Sequence, residues 1–422
     1  MSFAVKRFNI VKMILNKSIF DENIIHMILK YYWKLLDNKR KVLLPWIDNE
    51  YLYCYGIYFN LNAIELLKNN QDKIYWDYLC YNPNAIDLLK IRIEYEYSLS
   101  SEDYNNLRHK IDWCTLSENL NAIDLLKIRI EYENSLSSEN YNNLRNKIDW
   151  VKLSRNPNVI ELLTKNQDKI NWINLSLNQN ERVIEILSNN QDKIHWYWLS
   201  QNQNAIDLLL ENEDKISWHN LSSNRNERAI EILSNNLDKI NWHLISLNPN
   251  AIDLLKIRIE YENSLSVEDY NNLRDKICWD LISHNLNGIE LLKNNQDKID
   301  WDNLSQNLNA IELLTNNQDK INWDNLSQNL NAIELLKNNQ DKINWNILSH
   351  NLNGIELLKI RIEYENSLSY EEYDYLQYKI DWDNLCLNPN AIDLLKNNQD
   401  EIDWYYLSTN PSIFEDEPMP IV

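Results

Sequence analysis

The chain has 422 residues and a formal charge of −21, with 16 Trp and 24 Tyr against 3 Gly. That charge opposes phosphate neutralisation, which draws on clustered Lys and Arg, so no nucleic-acid partner is expected. Five cysteines stand singly with no Cys-x-x-Cys pair, and no apolar run is long enough for a membrane. The expectation is a protein with reduced thiols in a cytosol-like compartment, neither secreted nor transmembrane, with no membrane partner.

Residues 1–45 do not fit the pattern that follows. Within them Asn23 to Leu36 reads as a helix, with Ile24, Ile25, Ile28, Leu29 and Trp33 on one side. The segment is expected to be an N-terminal helical cap covering the first repeat.

From Trp76 to Trp404 a framework Trp recurs at intervals of 22, 24 or 37 residues. The unit reads Trp-x-x-Leu-Ser-x-Asn-x-Asn-Ala-Ile-acid-Leu-Leu, then a polar stretch and Asp-Lys-Ile before the next Trp. An earlier degenerate copy puts Cys54 at the Trp place and ends in Asn62, Ala63 and Ile64. One unit cannot bury a Trp ring alone, whereas stacked units can. The expected fold is therefore all-α, an α-solenoid of about 14 two-helix repeats over residues 46–410. A leucine-rich-repeat horseshoe also suits a 22-residue step, but its Leu-x-Leu-x-x-Asn run is Ile-x-Trp-x-x-Leu here.

In the first helix Ile321, Trp323 and Leu326 share a side, and Asp319 is predicted as N-cap. Asp holds that place in the units of step 22 or 24, and it becomes His109, Asn146, Asp275 or Tyr378 in the four 37-residue units. Those positions are expected to lie inside a longer helix that needs no cap. The second helix is predicted to start at Asn-x-Asn, with Pro83, Pro157, Pro249, Pro389 and Pro411 at its first turn. Gly288 and Gly354 replace the Ala before Ile, which predicts close approach of a neighbouring backbone. The 37-residue units, as in Lys127 to Ser137, are expected to lengthen both helices by about two turns. Ser137 is the predicted N-cap of the return. Residues 411–422, acidic and with Pro418 and Pro420, are expected to be a flexible tail.

Asn248 to Leu255 (Asn-Pro-Asn-Ala-Ile-Asp-Leu-Leu) and Asp319 to Ser327 (Asp-Lys-Ile-Asn-Trp-Asp-Asn-Leu-Ser) resemble the repeats of uncharacterised proteins of giant, mimivirus-type DNA viruses. The resemblance covers about residues 50–410, and it implies a repeat protein found in the host cell cytoplasm or in the virion. Ile19 to Leu36 also resembles an F-box helix, which implies an adaptor to host ubiquitin ligase. The usual leading Leu-Pro is missing there, since Leu44 and Pro45 come later.

The pattern offers no catalytic chemistry. The seven histidines lie in different units without ligand spacing, so no metal is expected, and no Gly-rich phosphate loop points to a cofactor. The acid after Ala-Ile reads as a solvated face near the positive end of each helix dipole. The Asn rows read as caps, and the Ser that becomes Cys80 and Cys386 reads as small and partly buried. What varies between units is the pair of residues after Trp and the one after Ser. The expected function is a non-enzymatic scaffold for a protein partner, with Tyr197, Trp198, Tyr405, Tyr406, His219 and His243 as the candidate binding surface. A structural virion component is the alternative.

Overall fold

A computed structural model describes residues 41–52, 55–144 and 146–417. The helix expected at Asn23 to Leu36, and the F-box resemblance with it, lie outside the described residues. The all-α repeat solenoid is present, and each unit is built in the same way.

Residues 318–337 illustrate the unit. Gln318–Lys320 form one 3-10 turn. Ile321 is then extended and buried, which lets the chain reverse direction. The first helix, Trp323–Gln328, starts only after Asn322, whose side chain accepts the Asn325 N–H at 3.0 Å. The N-cap is thus the residue before Trp, not Asp319, which lies within the 3-10 turn. Asp or Asn plays this part in nine units among the described residues. The side-chain oxygen satisfies an N–H that the first turn leaves orphaned.

The start of the second helix also differs from expectation. Ile333–Lys337 begins after Ala332, with no side-chain cap. Asn329 Oδ1 accepts the Asn331 N–H at 3.0 Å, an Asx turn that reverses the chain before the helix begins. The prolines lie in this reversal. Only Pro411 opens a helical turn directly, the 3-10 turn Pro411–Ile413 capped by Asn410. In the 24-residue unit at Trp218, Asn226 does cap its helix, Glu227–Ser234. Gly288 and Gly354 meet the preceding helix of their own unit rather than a neighbour: a Cβ on Gly288 would lie 2.7 Å from the Ile282 carbonyl.

In the 37-residue units only the second helix lengthens. Ile86–Ser98, Ile123–Ser135, Ile252–Ser264 and Ile355–Ser367 each run 13 residues. The return forms a separate short helix such as Ser138–Asn143, capped by Ser137 as predicted. The Trp helices stay short, Trp113–Leu116 among them. His109, Asn146, Asp275 and Tyr378 therefore lie in bends, not inside helices. Three of them reach back one unit: His109 Nδ1 lies 3.3 Å from Asp77 Oδ1, Asn146 Oδ1 accepts the Trp113 N–H at 2.9 Å, and Asp275 accepts the Trp242 N–H at 3.0 Å.

The framework Trp carries a cation in both unit types. In short units the Lys of the next Asp-Lys-Ile lies over the ring, as Lys320 does over Trp301 at 4.8 Å and Lys342 over Trp323 at 4.6 Å. In long units the Lys is displaced, and Arg92, Arg129, Arg258 and Arg361 cover Trp76, Trp113, Trp242 and Trp345 at 4.8–5.1 Å. Each Arg pairs with a buried Glu one turn on, at 2.7–3.0 Å. That carboxylate also accepts the N–H of the Ile leading into the next Trp helix, as Glu133 does from Ile148 at 3.0 Å. The insertion thus replaces both the cation and the backbone bond that it removes.

The array closes on itself. The first Asn of each Asn-x-Asn is buried and donates its amide to two carbonyls of the preceding unit. Asn329 Nδ2 reaches the Ser305 and Asn307 oxygens, both at 3.1 Å. The same pair of bonds is made at every step from Asn82 to Asn410. Asn60, in the degenerate first unit, makes it to the Ser408 and Asn410 oxygens of the last, both at 2.9 Å. Unit fourteen is therefore the neighbour of unit one, and the solenoid is a ring.

Three further contacts hold the seam. Tyr51 stands where other units have the cation and stacks on Trp404 with ring centroids 5.1 Å apart. Strand β1 (Lys41–Leu43) pairs antiparallel with β2 (Phe414–Asp416). Lys41 Nζ meets Asp416 Oδ1 at 2.9 Å. The segment from 411, expected to be a flexible tail, is thus ordered as far as Asp416, and residues 41–43 of the expected helical cap are strand.

Candidate functional site: the inner wall of the ring

Consecutive Trp helices pack against one another, whereas contact between consecutive Ile helices is sparser. The Trp helices therefore form the narrower, inner layer and the Ile helices the outer one. The Asn ladder fixes which side chains face inward. The buried Asn points into the wall, so its flanking residues, five and seven places after Trp, project from it. Two cavities confirm this. One of about 890 Å³ is lined from six successive units, by Arg155 and Pro157 at one end through Gln179, Gln201 and Arg225 to Leu247 and Leu281. Only a concave surface can enclose space with equivalent residues of six neighbours. A second, of about 490 Å³, is lined by Gln328, Leu330, His350 and Leu352 among others.

Charge is segregated between the layers. The acid after Ala-Ile lies on the Ile helices and is exposed in most units, as at Asp87, Glu312 and Glu334. Ion pairs link some neighbours there, including Arg228 with Asp207 at 2.7 Å and Lys293 with Glu312 at 3.1 Å. At the two wall places of the fourteen units, in contrast, Glu118 is the one acid. The rest are amides, leucines, prolines, aromatics, Ser223, Thr409, His284 and His350, with Arg155 and Arg225 as cations. A chain of net charge −21 thus encloses a wall that is nearly free of carboxylates.

The candidate binding residues fall in two groups. Tyr197 and Trp198 meet edge to face at 5.0 Å, and Tyr197 stacks on His219 of the next unit at 6.4 Å. His219 in turn meets the Asn241 amide at 3.0 Å, and His243 lines the larger cavity. Tyr405 and Tyr406 pack edge to face at 5.3 Å in the last unit, at the seam. Units six to eight lie across the ring from unit fourteen, so the six residues do not form one patch. Tyr197, Tyr405, His219 and His243 are exposed, while Trp198 and Tyr406 are half-buried.

Arg155, Arg225 and the glutamines Gln179, Gln201 and Gln203 were not among the sequence candidates. The variability of the residue after Ser was a signal for part of this set. The place between the two Asn, read as a cap turn, concealed the rest.

Burial pushes the Cys386 thiol up to about 12, and the Cys80 thiol is raised further for the same reason. Cys80 Sγ donates to the Trp76 carbonyl at 3.2 Å and accepts the Asp112 N–H at 3.4 Å. Ser305 Oγ does the same in its unit, with the Trp301 carbonyl and the Asn322 N–H. The Ser or Cys is thus a bridge between consecutive Trp helices. No group of three or more His, Cys, Asp or Glu that could hold a metal ion occurs among the described residues, and no helix there is long and apolar enough to cross a membrane. Comparison of the chain with protein-family models, characterised proteins and solved structures gave no match.

Proposed function

We propose that the chain is a non-enzymatic ring scaffold that binds a protein partner on its inner wall. One observation carries this reading: a recurring frame of Trp, Asn and Ala-Ile holds side chains that differ from unit to unit on a concave surface. Repeat proteins use concave surfaces of this kind for recognition. The motif's resemblance to giant-virus repeats favours a partner from an infected host cell. Tyr197 is an exposed aromatic side chain and His243 lines the larger cavity, and aromatic side chains anchor interfaces out of proportion to their number.

The test is capture of partners from infected-cell extract by the wild-type ring and by two variants. One variant carries Gln201→Ala, Gln203→Ala and Leu247→Ala on the inner wall. The other carries Glu312→Ala and Glu334→Ala on the outer layer. Loss of the same proteins from the first alone supports the reading. Retention on the first with loss from the second contradicts it.

A further inference from the structure

We infer that the inner wall from the unit of Trp150 to that of Trp242 takes an extended, acidic polypeptide segment. This rests on the ring being a protein-binding scaffold and adds the chemistry of its partner. Across these five units the residues one, two, five and seven places after Trp include no Asp or Glu. The first of these places turns acidic beyond the arc, with Asp280, Asp302, Asp324 and Asp383. The lack of carboxylates along the whole wall, top to bottom, is therefore a property of this arc.

Arg155 and Arg225 stand three units apart at the rim of the 890 Å³ cavity, both exposed, and neither has an ion-pair partner among the described residues. Lys152, in contrast, is paired with Glu118 at 3.6 Å. An unpaired guanidinium has five donors in a fork that matches a carboxylate. Between the two arginines lie Gln179, Gln201 and Gln203, all exposed. A primary amide both donates and accepts, as an extended peptide backbone requires. Leu244, Leu247 and Pro157 supply apolar contact for intervening side chains.

The overall negative charge does not oppose this partner at close range. The outer carboxylates sit a helix layer behind the wall, about 8–10 Å away, which is about one Debye length at physiological salt. Two unpaired cations suit one or two carboxylates. A single-stranded nucleic acid would bring a phosphate with every nucleotide and find too few counter-charges.

The experiment is selection of a random twelve-residue display library on the full-length ring, with the recovered sequences re-tested on R155E/R225E. Both arginines are exposed and have no ion-pair partner among the described residues, so the variant's circular dichroism and melting temperature serve as its folding control. The expected result is enrichment of Asp and Glu over the input library, with binding at least about tenfold weaker on R155E/R225E and weakened by added salt. No enrichment of acids, equal binding to the double variant, or tighter binding of a twelve-nucleotide oligouridylate than of the recovered peptides would each overturn the inference. Peptides without acidic excess that are nonetheless lost on Gln201→Ala/Leu247→Ala would sink the acidic chemistry while leaving the scaffold reading standing.

Discussion

Asn60 donates its side-chain amide to the Asn410 carbonyl at 2.9 Å, across 350 residues of chain, and Asn82 makes the same bond to Asn60 at 3.1 Å. The step that closes the molecule thus repeats the step that builds it. A solenoid ordinarily ends in capping repeats that cover exposed core. Here units one and fourteen cover each other.

The ladder makes each Asn a structural residue. Asn329→Ala would take this donor from the buried Ser305 oxygen, while the Asn307 oxygen would keep the Ala310 N–H at 3.1 Å. An orphaned buried polar group costs about 1–3 kcal/mol, so the variant should unfold at clearly lower urea concentration. Asn331→Ala, one turn outward and exposed, loses a single bond to the Leu308 carbonyl at 2.9 Å and should shift the midpoint by less than half as much. Equal shifts would mean that the ladder is not what stabilises the wall.

Gly56 and Gly354 should respond oppositely to alanine. A Cβ on Gly56 would lie 2.2 Å from Ser408 Oγ and 2.7 Å from the Tyr405 carbonyl, so the last Trp helix must shift. Gly354→Ala meets the Leu348 side chain at 3.1–3.2 Å and the Asn351 carbonyl at an ordinary 3.4 Å, and installs the residue most units already have. Gly56→Ala is expected to cost about 1–3 kcal/mol and to speed hydrogen exchange at residues 404–416. Gly354→Ala should lie within about 1 kcal/mol of wild type, because Gly354 precedes its helix with an ordinary negative φ and the loss of unfolded-chain freedom offsets the contact.

Much of this architecture was legible in the sequence. The Trp interval gave the unit, and the Asn and Ala-Ile places gave two short helices. The cap was misread because Asp319 is more regular than Asn322, although the second makes the bond. Regularity marked the 3-10 turn instead, where Asp repeats on an exposed surface. Closure could not be read because it depends on the rotation accumulated over fourteen units, which no single motif encodes. Its traces were present as departures from the motif: Gly56, and Tyr51 in the place of the Lys. On the binding face, Tyr197 and His243 were found from their variability. Arg155 stands at one of the varying places and Arg225 does not, and neither is a candidate from the sequence, because their meaning depends on which carboxylates stay away from them.

The first long hairpin, Ile86–Ser98 with its return, should carry a pH signature through Glu96. Burial holds its carboxyl above the ordinary value of 4.5, against the opposing pull of the Ile111 N–H and Arg92. A raised folded-state value means that the folded chain binds more protons than the unfolded one between the two values. Stability contributed by this group is therefore present at low pH and falls as pH rises through that window. Glu96→Gln keeps an acceptor for the Ile111 N–H and removes the titration. Melting curves from pH 4 upward should show a shallower decline for the variant, and an unchanged slope would place the pH dependence elsewhere.

Closure itself is tested most directly at the β1–β2 latch, where Lys41 Nζ lies 2.9 Å from Asp416 Oδ1. Zero-length carbodiimide coupling of dilute protein, followed by peptide mass spectrometry of the monomeric band, should recover an isopeptide joining residues 41 and 416 of one chain. Absence of that cross-link from the monomer, or its recovery only from dimers, would contradict the ring.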